Sequence, residues 1–141
     1  MRTVVAVILG VVSGTLAIAL VERTGHQVYP PPEGLDIEDR ETVAELVAAA
    51  PIGALLFVLA AWGIGAGVGG WISVRLGSPV PRGPYIVGLV LLAFGVTNML
   101  MIPHPTWFFI AGVLIFLPTA LLGGRLAHRS RREDRWPRAT G

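Results

Sequence analysis

Four stretches of this chain carry no charged side chain: residues 4–21, 51–74, 84–102 and 105–124. A helix needs roughly 20 apolar residues to cross a hydrocarbon core about 30 Å thick. Each stretch meets that length, and the last, with its continuation to about residue 126, completes a fourth span. The second has 24 residues. At ~1.5 Å per residue it reaches ~36 Å and is expected to tilt. Hydrophobic residues make up 53% of the 141 positions and charged residues 14%. A water-soluble domain this small cannot hide so much apolar surface, so hydrocarbon is the expected solvent. The first stretch contains Ala17-Ile18-Ala19, which imitates a signal-peptidase site. Its apolar run is long for a cleaved leader, and it is read as a retained span. The expected fold class is therefore all-α: a polytopic four-transmembrane-helix bundle over residues 1–127, with an outer loop at 22–50 and a basic tail at 128–141.

Charge sets the orientation. All 11 basic residues are Arg. Arg2, Arg75, Arg82 and the arginines from 125 to 138 flank ends that alternate onto one side, which the positive-inside rule makes cytoplasmic. Both termini then lie inside, while the acidic 22–50 loop and the Pro103–His104 corner lie outside. Tyr29, Trp107 and Phe108 are expected at the outer interface, and Trp71 and Tyr85 at the inner one. Read this way the basic tail is a topology signal, and nucleic acid is not an expected partner. The chain has no cysteine, which removes disulfides, thiolate metal sites and thiol redox chemistry.

Between the first two spans, LDIEDRETVAELVAAAP reads as a further helix with Asp36 as N-cap and Ile37, Val43, Leu46, Val47 and Ala50 on its apolar side. It is either an interfacial amphipathic helix or a solvated connector. Pro51 ends it or bends it into the second span. YPPPEG is a stiff extended stretch that holds the loop over the helix ends. Pro118 is expected to kink the last span and free the carbonyl of Leu114, for a neighbouring Thr or Ser to satisfy.

Spans two and four share a frame: Pro51, Gly69-Gly70 and Arg75 recur as Pro105, Gly123-Gly124 and Arg129, at identical spacing. Duplicated hairpins would give this pattern, and so would coincidence in a chain with 18 Gly and 11 Pro. Small residues are also what membrane helices need for close packing. Gly10 and Gly14 form one GxxxG pair, and Gly63/Gly67 and Gly65/Gly69 form two overlapping ones; Gly88 and Gly95 lie on span three. They mark either the seam of a homo-oligomer or packing within one bundle.

The mid-membrane polar inventory is thin, with no ionisable group near the middle of a span, which argues against a proton-coupled pump. The polar groups gather outside. Glu22 and His26 end span one, His104 follows span three on the same side, and Asn98 lies about 9 Å deeper if helical. Two imidazoles and a carboxylate can bind Zn or Fe with open positions, so Glu22, His26 and His104 are a candidate metal set. With Asn98 they are a candidate small-ligand site. Interfacial capping explains them as well: Gly25 can end helix one before His26, and His104 can cap carbonyls freed at a turn. No cofactor is otherwise called for, and no catalytic motif is present.

The segments GHQVYPPPEGLD, PIGALLFVLAAWGIGAGVGGW and MIPHPTWFFIAGVLIFLPTALLGGRLA resemble those of a group of uncharacterised small four-span bacterial integral membrane proteins. The resemblance covers the chain to about Ala127. It implies the four-span fold and a bacterial inner membrane, and it implies no activity. The first functional expectation is a non-enzymatic membrane component that self-associates or joins another membrane protein. An outer-face metal or small-ligand site and an oligomeric pore are the alternatives.

Overall fold

The computed structural model describes residues 1–30, 40–102 and 104–133. They form five helices: α1 (Arg2–Val28), α2 (Arg40–Ala49), α3 (Ile52–Arg75), α4 (Arg82–Met101) and α5 (Thr106–Glu133). α1, α3, α4 and α5 are long and apolar enough to cross a membrane, and α2 is too short. The fold is thus an all-α bundle of four spans with one short non-spanning helix. Asp36 and Ile37, expected at the start of α2, fall outside the described residues. Val47 and Ala50 pack against the rim of the bundle core.

α3 is the central element. It buries 44% of its most apolar stretch against 17% for α1, because it meets α1, α4 and α5, while α1 and α5 do not meet among the described residues. The glycine pairs explain how closely it does so. A Cβ placed on Gly10 would stand 2.7 Å from the Gly69 carbonyl oxygen, and one on Gly14 would stand 2.8 Å from that of Gly65. α1 and α3 therefore lie antiparallel with GxxxG against GxxxG. On the opposite side of α3, Gly70 meets the Ala120 backbone, and Gly123 of α5 meets the backbone of Gly67. Both glycine registers of α3 are consumed inside one chain.

The shared frame of spans two and four has a spatial counterpart. The 54-residue offset between Pro51 and Pro105 also separates Trp62 from Phe116, whose rings stack with centroids 5.3 Å apart. α3 and α5 thus run parallel and in step, which brings Arg75 and Arg129 to the same end. Each Pro stands just before its helix and supplies the first carbonyl: Ala54 N donates to Pro51 O (2.9 Å), and Phe108 N to Pro105 O (2.9 Å).

The helix ends differ from expectation in two places. α1 does not stop at Gly25. That residue lacks a side chain because the Phe57 ring of α3 occupies the space, and the helix continues to Val28, where the Tyr29 amide closes it on Gly25 O (2.8 Å). α4 begins at Arg82, two residues before Pro84, because a proline in the first turn loses no hydrogen bond it needs. α3 ends in a Schellman turn: Gly77 N donates to Val74 O (3.1 Å) and Ser78 N to Ser73 O (3.0 Å). Gly77 stands at φ +115°, a conformation that side chains other than glycine's rarely adopt. In α5, Thr119 beside Pro118 donates to Ile115 O (2.6 Å) and Phe116 O (3.2 Å), not to the Leu114 carbonyl expected from the sequence.

Candidate functional site

The polar residues at the acidic-loop end were candidates to share one site, and the structure brings two of them, Glu22 and His104, to a buried aromatic cluster. Trp62 stands halfway along α3 and is 5% exposed. Its ring fits because two positions facing it are glycine: a Cβ on Gly112 would come within 2.9 Å of the indole, and one on Gly95 within 2.6 Å of the adjoining Phe116 ring. Phe108 meets the indole edge-on at 5.4 Å and 67°. An indole N–H buried in such company needs an acceptor, and Glu22 supplies it: Trp62 Nε1 donates to Glu22 Oε1 at 3.1 Å. The carboxylate at the end of the first apolar run is thus turned back into the bundle, where it joins α1 to α3.

His104 lies on the far side of the same cluster. Its imidazole stacks on Phe108 with centroids 4.7 Å apart and planes at 13°. Nδ1 lies 2.6 Å from Ile102 O, so the Nδ1–H tautomer closes the carbonyl at the end of α4, as a turn-capping histidine does. Burial among these rings pushes the imidazole below the ordinary histidine range, against an opposing pull from the Ile102 carbonyl. His104 also lines a shallow hollow of about 510 Å³ with Glu45, Ala44 and Ala48 of α2. Glu45 was not singled out from the sequence because the His104 that shares this hollow lies 59 residues away, across two spans.

Glu22 and His26 remain one turn apart on an unbroken helix, and His26 is exposed. The Glu22 carboxylate meets Trp62 and the His104 ring meets Phe108, two rings that touch each other. Among the described residues no three His, Cys, Asp or Glu side chains come together as a metal-ligand set. Glu22, His26 and His104 therefore do not form the metal site for which their residue types qualify. Asn98 stands on the exposed side of α4 with Phe94 and Met101, away from the core, and its amide meets no hydrogen-bond partner among the described residues.

Phe108 was expected as an interfacial aromatic and is instead fully buried. The rotation of α5 that presents Trp107 and Phe109 outward directs Phe108 to the indole. Tyr29, Trp107, Trp71 and Tyr85 are each partly exposed, as anchors are. Sequence reasoning missed Trp62 as the centre of the cluster. The available signal was a lone indole in mid-span whose N–H required a partner.

In comparisons with known proteins, the chain matches no family model, no curated protein and no solved structure.

Proposed function

We propose that this protein is a non-enzymatic component of a bacterial cytoplasmic (inner) membrane that associates laterally, with itself or with another membrane protein, and that both its termini are cytoplasmic. The observation that carries association is Asn98. An amide left unpartnered on an otherwise apolar helix face is costly in lipid, and a facing helix relieves that cost by hydrogen bonding. Gly10, Gly14, Gly63, Gly65, Gly67 and Gly69 first suggested an oligomer seam, but they face other helices of the same chain. The association surface is therefore assigned to the stripe Phe94–Asn98–Met101 of α4. The hydroxyls of Ser73, Thr97 and Thr119 bond carbonyls of their own helices, which disfavours a pore lined by them.

Because the chain has no cysteine, a single Met101→Cys substitution gives a clean crosslinking probe in native membranes. A crosslinked dimer or a defined heterodimer is expected. Asn98→Leu should weaken the association about three- to thirty-fold, the range that interhelical polar contacts in membranes imply. A strictly monomeric mass in detergent-free discs, with nothing co-purifying, overturns the reading. Orientation is tested separately: a tag after Gly141 should be reachable only from the cytoplasm and one at Glu33 only from outside.

A further inference from the structure

On the lipid-facing side, α3 and α5 do not close completely. A groove of about 540 Å³ runs between them, floored by Gly67 and Gly123 and walled by Ile64, Trp71, Leu122 and Leu126. We propose that it seats one acyl chain of an anionic phospholipid, with the headgroup held between Arg75 and Arg129.

Three observations converge on this occupant. The first is length. From Ile64 to Ile72 the groove follows α3 for about 12 Å, close to half of the ~30 Å hydrocarbon core and so to the depth of one leaflet. The second is the way its walls continue. On α3 the lining residues Ile64, Val68 and Trp71 lead at helical spacing to Arg75, and on α5 Thr119, Leu122 and Leu126 lead to Arg129. The frame shared by spans two and four puts both guanidinium groups at the same open end. Arg75 is already drawn there: its Cζ lies 5.2 Å from the centroid of the Trp71 ring, and Nη1 donates to Ser130 Oγ at 3.4 Å. The third is charge. This end of the bundle carries Arg2, Arg75, Arg82, Arg125, Arg129 and Arg131, and up to residue 133 its one acid is Glu133. A clustered positive field beside an apolar slot complements a phosphate ester with a hydrocarbon tail. A zwitterionic lipid would offer the same tail without the net charge. A partner helix would fill the slot without using the arginines.

The test takes the full chain in a mild non-ionic detergent and records native mass spectra with phosphatidylglycerol or phosphatidylcholine of identical acyl chains. One phosphatidylglycerol per chain should be retained with a preference of about tenfold or more, the scale two arginines near a headgroup imply. The double variant Arg75→Gln/Arg129→Gln should lose the preference. Gly67→Leu should lose the lipid itself, because its side chain fills the floor. The position tolerates a side chain, since a Cβ there meets only Thr119 O, at 3.6 Å. Equal retention of both lipids by the unmodified chain overturns the proposal and needs no variant that might misfold. Unchanged phosphatidylglycerol binding in Gly67→Leu overturns the groove as its seat, and a dimer in place of a lipid adduct overturns the choice of occupant.

Discussion

The two halves of the bundle are packed by opposite means. Toward the arginine-bearing end, backbone lies against backbone: Gly10 on Gly69, Gly67 on Gly123, Gly70 on Ala120. Toward the acidic-loop end, rings fill the space between helices, with Trp62 meeting both Phe108 and Phe116 and Leu55, Leu59 and Met99 in the same cluster. Lipid tails are as apolar as leucine, so neither half gains from excluding water. Each must gain from dispersion contacts, either by bringing helices close or by interposing polarizable rings. The polar groups follow the same division. At the ring-packed end Glu22 and His104 turn inward and spend their hydrogen-bonding capacity on Trp62 and Ile102. At the glycine-packed end the buried polar side chains among the described residues are the small serines Ser73 and Ser78, and the arginines stay at the surface. Arg131 closes the Val74 carbonyl (3.0 Å) from the surface, and Arg125 and Arg129 face outward.

On this contrast the glycine half should be the less tolerant. Gly70→Leu must push α3 from the backbone of α5, and a loss of about 3 kcal/mol or more is expected. Gly67→Ala, a register position with ordinary contact distances, should change stability little. Reversible unfolding in bicelles measures both, and comparable losses would erase the distinction between a backbone contact and an open groove. At the ring-packed end the effect should be smaller and chemically selective. Glu22→Leu strands the Trp62 N–H and should cost about 1 kcal/mol, while Glu22→Gln keeps an acceptor oxygen and should retain most of that. Equal losses for the two would mean that the hydrogen bond contributes nothing.

The smallest expected effect is a pH dependence from His104. Its folded value is depressed by burial, so below the unfolded value of about 6.5 the unfolded chain binds more protons. The contribution is therefore present in full above about pH 6.5 and is lost as the pH falls through that value toward the folded one. His104→Gln should flatten the slope in mildly acidic buffer, whatever it does to the baseline through the lost stack on Phe108. An unchanged slope would assign the acid sensitivity to another group.

Much of the fold was legible because charge is excluded from hydrocarbon residue by residue. The four uncharged runs became α1, α3, α4 and α5, and Pro51 and Pro105 marked the starts of two of them. The helix ends were less legible. Gly25 has the residue type that stops a helix, yet α1 passes through it because its missing side chain answers to Phe57 on another helix. The candidate site was legible only as a list of residue types at one membrane level. Phe108 and Trp107 are neighbours of like chemistry near a span end, and only the rotation of α5 distinguishes the buried ring from the anchor. The glycine pairs likewise announced close contact without naming the partner.

By itself the sequence determined that this chain exchanges water for lipid four times, because transfer into hydrocarbon is decided along each segment separately. Only the tertiary structure decided that Glu22 meets the Trp62 indole, and that the glycines of α3 face α1 and α5. Those outcomes depend on which helices are neighbours and how each is rotated about its axis, and helices of such uniform apolar character carry almost no trace of either in their linear order.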